Sequence, residues 1–126
     1  MRFLLVTALL TASHGTAQPR VDHHLHFLKS MASAPPGFAL DADELIRQMD
    51  AAGVRRGVVL SVAYHFGNPF RPPVANEYAR VRAENDWSAA QAKRYPDRLI
   101  VFCGINPLQD YALREIRRCA GDPLLR

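Results

Sequence analysis

The chain has 126 residues, 48% of them hydrophobic and 22% charged, with a formal net charge of +4. That length supports one small domain with one core, and the composition excludes a disordered or low-complexity chain. The basic residues are spread singly or in pairs such as Arg55-Arg56, Lys93-Arg94 and Arg117-Arg118. This reads as a solvated surface, without the basic and aromatic stripe of a nucleic-acid partner.

The first segment has the layout of a secretory signal peptide. Met1-Arg2 gives a positive start, Phe3 to Ala12 is an apolar run too short to span a bilayer, and Gly15-Thr16-Ala17 offers a small-residue cleavage site before Gln18. Residues 1–17 are therefore expected to be removed, residues 18–126 to form the domain, and the product to be secreted or periplasmic with no membrane span. The alternative is a buried strand or helix of the domain itself.

From Arg20 to Phe27 the pattern predicts a strand, and Lys29 to Leu40 a loop around Pro35-Pro36-Gly37. Asp41 is a candidate N-cap with Glu44 three residues on, and Leu45, Ile46, Met49 and Ala52 form one helical apolar face stopped by Gly53. Arg56 to Ala63 predicts a strand buried on both faces. Tyr64 to Val74 is a proline-rich loop. Ala75 to Tyr95 predicts a helix with apolar positions Tyr78, Val81, Trp87, Ala90 and Tyr95, a candidate break at Asn85-Asp86, and an end at Pro96-Asp97.

Leu99 to Ile105 predicts a third buried strand. Leu113, Ile116 and Ala120 mark the apolar face of a third helix, closed by Gly121-Asp122-Pro123. The alternation β-α-β-α-β-α predicts an α/β fold with parallel strands and right-handed crossovers. Export would permit a disulfide between Cys103 and Cys119. Their spacing shows neither a metal knuckle nor a CxxC pair, so both are expected to be packing residues.

The chemistry is concentrated in Val21-Asp22-His23-His24-Leu25-His26. Residues i and i+2 of a strand share a face, so His24 and His26 stand side by side, with Asp22 one step back on that face and His23 on the other. Two neutral imidazoles so placed can hold one divalent metal ion, and the carboxyl end of a parallel strand is where functional groups gather in α/β proteins. Read without a metal, the pair is an incidental feature of a strand. For Asp22 three readings stand: a further ligand, an acceptor orienting His24, or a strand-edge carboxylate.

Asp-x-His-x-His on the first strand resembles the amidohydrolase superfamily, metal-dependent enzymes on (β/α)₈ barrels. The likeness continues through Asp43-Glu44-Leu45, Gly53-Val54-Arg55-Arg56-Gly57-Val58-Val59, Asn85-Asp86-Trp87 and Tyr95-Pro96-Asp97-Arg98-Leu99-Ile100-Val101-Phe102. Within that superfamily the chain is most similar to the amidohydrolase-related branch, which contains hydrolases and decarboxylases. The resemblance implies a divalent metal ion, zinc by choice, with His24 and His26 as its first two ligands and Asp22 in a supporting position. The family's further ligands and its proton-handling aspartate come from later strands and have no counterpart here, so no catalytic residue is assigned in this chain. His65 and Arg71, in the second βα loop, are candidate substrate contacts, Arg71 for a carboxylate.

A (β/α)₈ barrel takes about 250 residues, so the chain is expected to carry the first three βα units of an incomplete barrel and to be inactive alone. The function expected of the intact enzyme is activation of water for attack on a carbonyl or carboxylate substrate, a small molecule. The alternatives are a decarboxylase of the same superfamily, a phosphoesterase-type or nuclease-type His-x-His barrel, and a non-enzymatic periplasmic α/β binding module. A homo-oligomer is left open.

Overall fold

The computed structural model describes residues 20–29 and 39–126. The signal-peptide reading of residues 1–17 and most of the loop before Leu40 lie outside them. Three strands, β1 (Arg20–Leu25), β2 (Val54–Leu60) and β3 (Leu99–Phe102), form one open parallel sheet in the order β1-β2-β3. Helices α1 (Ala42–Ala51) and α2 (Glu77–Ala92) make the two crossovers that parallel pairing requires, and α3 (Ala112–Ala120) follows β3. The fold is α/β, with an open, three-stranded parallel sheet.

Helix α1 forms where the sequence pattern places it. The Asp41 side chain accepts the backbone N–H of Glu44 at 3.0 Å, and Ala42, Leu45, Ile46 and Met49 are buried. Ala52, expected on that face, is the exposed C-cap residue. The buried face meets Phe27, Val59, Ala89, Leu99, Val101 and Leu125 in the main core. Among the described residues, the sheet is covered on this side only. Leu99 and Val101 are buried, whereas Ile100 and Phe102 are 48% and 43% exposed. Burial of both faces, expected from the apolar runs, is therefore not met in β3, because among the described residues no element covers its second face.

The second strand ends earlier than expected. The Ser61 hydroxyl accepts the N–H of Ala63 at 3.3 Å and starts a 3₁₀ helix, Val62–Gly67, inside what the sequence marks as strand end and loop. Gly104 passes so close that a Cβ there would lie 2.2 Å from the Ser61 carbonyl oxygen. This close approach seats the end of β3 against the end of β2.

Helix α2 is continuous across Asn85-Asp86. The fully buried Asn85 spends its side-chain groups on tertiary partners and does not interrupt the helix. Its Oδ1 accepts from Gly104 N at 2.9 Å, and its Nδ2 donates to Gly104 O at 3.3 Å and Glu115 Oε1 at 2.8 Å. The buried positions of α2 are Val81, Glu84, Asn85, Ser88, Ala89 and Ala92, while Ala90, expected inward, is exposed.

Helix α3 is turned the opposite way from its apolar pattern. Ala112, Glu115 and Cys119 face inward, and Leu113 and Ile116 are 65% and 46% exposed, with Ala120 exposed beside them. Two interactions outweigh hydropathy here. Glu115 is bound by Asn85, Tyr78 and Arg118, and Cys119 forms a disulfide with Cys103. The cysteines are thus a covalent link between the end of β3 and the end of α3, not two separate packing residues. Beyond α3, Leu125 is buried and forms a parallel bridge to Val101.

Candidate metal centre and adjoining cavity

Strand β1 carries one residue more than β2 in the segment that matters. Asp22 pairs with Gly57 and Leu25 with Val59, so three steps along β1 match two along β2. The extra residue makes a bulge around His23-His24. Asp22 Oδ1 closes it by accepting the backbone N–H of His24 at 2.9 Å. The carboxylate therefore braces His24 through its backbone, and the bulge takes Asp22 out of the simple alternation that would set it in line with the imidazoles.

Leu25 fixes which way the flanking histidines turn. It packs on the main core over Gly57, where a Cβ would lie 2.5 Å from Leu25 Cδ1 and 3.3 Å from Met49 Cε. With Leu25 seated toward α1, His24 and His26 project to the uncovered face. His23 is exposed and makes no part of the pair.

The two imidazoles converge edge to face, with ring centroids 4.9 Å apart and the Nε2 atoms separated by 3.0 Å. His26 Nδ1 lies 2.7 Å from the carbonyl oxygen of Leu60. A carbonyl only accepts, so Nδ1 carries the proton and Nε2 presents a lone pair. Without a metal, His24 donates its Nε2–H to that lone pair, and a proton shift within the exposed His24 ring frees a second one. Two nitrogens about 2.0–2.1 Å from one zinc ion, at angles between octahedral and tetrahedral, stand about 2.9–3.4 Å apart. The observed separation, that of a hydrogen bond between the rings, also falls within this range, and a hydrogen bond such as that to the Leu60 carbonyl is of the kind that orients a ligating histidine.

Next to this pair, at the carboxyl ends of β1 and β2, lies a cavity of about 700 Å³ lined by Leu28, Lys29, Val62, His65, Phe66, Arg71 and Glu84 among others. His65 Nδ1 is buried without a hydrogen-bond partner. Burial, then the charge of Arg71, holds the His65 pKa below its ordinary value, so the ring is neutral at pH 7. Lys29 pairs with the buried Glu84 at 3.1 Å and lies over Trp87. Arg71 is exposed at the rim, and among the described residues its guanidinium has no carboxylate within ion-pair distance.

The structure thus brings His24 and His26 together and sets His65 and Arg71 in one adjoining cavity. Lys29, Glu84 and the Leu60 carbonyl are additional members. The position of Lys29, three residues beyond His26, is the one sequence signal among them; a backbone carbonyl leaves none. A second cluster, Cys103, Glu115 and Cys119, brings three potential donor atoms within 4.8 Å of one another. It does not fit a metal. The sulfurs are bonded to each other, and the Glu115 oxygens already accept from Arg118 at 2.6 and 2.9 Å, Asn85 at 2.8 Å and Tyr78 at 3.1 Å.

Fold and site define an α/β protein with paired imidazoles at the carboxyl end of the first strand of a parallel sheet. No protein-family model matches the chain, and no curated protein does. Among solved structures, it is similar to a probable 2-pyrone-4,6-dicarboxylic acid hydrolase from Acinetobacter baumannii, crystallised with citric acid bound. That likeness has a TM-score of 0.45 and 17% sequence identity, and covers 80% of this chain and 33% of the other. The chain therefore spans about a third of that protein's length.

Proposed function

We propose that His24 and His26 are two ligands of a divalent metal centre, zinc by preference, in a hydrolase of the amidohydrolase type acting on a small carboxylate-bearing substrate. The observation that carries this reading is the 3.0 Å convergence of the two Nε2 atoms, with His26 held in the ligating tautomer by Leu60. A divalent cation at such a site would supply Lewis acidity and lower the pKa of a bound water to about 7. Asp22 fixes the backbone of His24. The neutral His65 hydrogen-bonds an uncharged polar group of the substrate, and Arg71 takes a carboxylate.

The same Arg71 and cavity favour one second reading, a decarboxylase of that superfamily, whose substrate also presents a carboxylate. For either activity we place the protein outside the cytoplasm. The N-terminal charge and apolar pattern support this, and so does the Cys103–Cys119 bond, since disulfides persist in oxidising compartments.

The test is zinc titration of the purified chain by calorimetry. Saturable binding with one zinc per chain is expected, lost in the His24→Ala/His26→Ala double variant. Asp22→Ala should weaken it by about 10-fold, the usual effect of an outer-sphere partner. Equal zinc binding by the parent and the double variant would sink the reading and leave a binding module with incidental histidines.

A further inference from the structure

Helix α3 turns toward the protein a face with no large apolar side chain. Ala112, Glu115 and Cys119 point inward, while Leu113, Ile116 and Ala120 point outward. We propose that the C-terminal half of α3 is held chiefly by the Cys103–Cys119 bond, its own inward face offering little apolar burial, so that its docking is switched by thiol–disulfide chemistry. The inference is independent of any metal at His24 and His26.

Three observations carry it. First, a helix of nine residues does not hold together on intrinsic propensity and needs tertiary packing. Second, the packing of the helix between its flanking anchors, Tyr111 stacked on Tyr78 and Leu125 beside Val101, is mostly polar. Glu115 is 0% exposed and is matched by Arg118, Asn85 and Tyr78. Desolvation of a buried ion pair cancels much of its attraction, so this network fixes orientation more than it adds stability. Third, the disulfide spans a sequence separation of 16 and ties the helix end to the end of β3. Closing a loop of that size removes much of the freedom that undocked α3 would gain.

The chemistry balances without the metal site. A disulfide oxidant accepts two electrons in thiol–disulfide exchange. One cysteine thiolate attacks it, the second resolves the mixed disulfide, and the oxidant leaves as a dithiol carrying the two protons lost by Cys103 and Cys119. Where a dithiol is in excess the exchange runs backward, the dithiol becoming a disulfide as Cys103 and Cys119 take up its two electrons and two protons, and the end of α3 is released with Leu113 and Ile116 no longer held outward. Docking of α3 would then mark arrival in an oxidising environment.

Hydrogen exchange on the whole chain, oxidised and after full reduction by a water-soluble phosphine, tests the proposal. Thiol alkylation reports completeness of reduction. Reduction should lower protection of the amides from Glu115 to Ala120 by roughly 100-fold, the closure entropy of a loop of this length, and leave those of α1 and β2 within a few-fold. Unchanged α3 protection in the reduced chain would overturn the proposal, and so would loss of α1 and β2 protection in step with α3. In the oxidised chain Leu113→Ser/Ile116→Ser should leave α3 protection as it was; a large loss would show that this face holds the helix.

Discussion

Replacing Asn85 by Ala should destabilise the protein by about 3 kcal/mol. Asn85 is fully buried and makes three hydrogen bonds, from Gly104 N at 2.9 Å, to Gly104 O at 3.3 Å and to Glu115 Oε1 at 2.8 Å. Truncation orphans the Gly104 N–H, at a cost of about 1–3 kcal/mol for a buried donor left unpaired. The Glu115 oxygen keeps Arg118, so its loss adds about 1 kcal/mol, and the long bond to Gly104 O adds least. Equilibrium urea unfolding measures the sum, as a lower midpoint at unchanged slope. Asn85→Asp sharpens the test. It keeps the acceptor for Gly104 N–H but sets a second carboxylate against Glu115, so it should be at least as damaging at pH 7 and partly relieved in acid, where one of the two protonates. A loss below about 1 kcal/mol for Ala, or a milder effect for Asp than for Ala at pH 7, would refute the assignment of Asn85 as the tie between α2, β3 and α3.

Three further outcomes follow from the same geometry. His65 should titrate below its ordinary value of 6.5 when its ring is followed by NMR. Because the unfolded chain binds the proton more readily, stability from this group is full above pH 6.5 and falls as pH drops toward the folded value. Burial pushes the Glu115 carboxyl up, but Arg118, Asn85 and Tyr78 together hold it below its ordinary 4.5. Its contribution is therefore full above pH 4.5 and lost as pH falls through the folded value, and Glu115→Gln should flatten that acid limb in unfolding experiments. Gly57→Ala puts a methyl 2.5 Å from Leu25 Cδ1 and should cost about 1–3 kcal/mol by urea unfolding while weakening zinc binding at the flanking histidines.

What could be read from the sequence divides along a physical line. Apolar periodicity placed β1, α1, β2 and β3 and the parallel order, because those elements are held by apolar burial around Leu45, Met49, Val59 and Val101. It placed α3 but turned it the wrong way, since Leu113 and Ile116 face water while Glu115 and Cys119 are bound on the other side. It also failed at Asn85, where a residue that favours turns serves as a tertiary anchor inside a helix. At the site, strand alternation was enough to bring His24 and His26 together. The bulge that moves Asp22 onto the His24 backbone, and the Leu60 carbonyl that sets the His26 tautomer, depend on pairing with β2 and have no signature along the chain.

The central claim is that the two Nε2 atoms share one metal ion. Long-range ¹⁵N–¹H correlation of the imidazoles during zinc titration tests it most directly, since it reports each ring nitrogen separately. The account predicts large shifts at Nε2 of both His24 and His26, with His26 Nδ1 remaining the protonated nitrogen bonded to Leu60. Zinc binding with both Nε2 resonances unmoved, or through Nδ1 of His26, would contradict it.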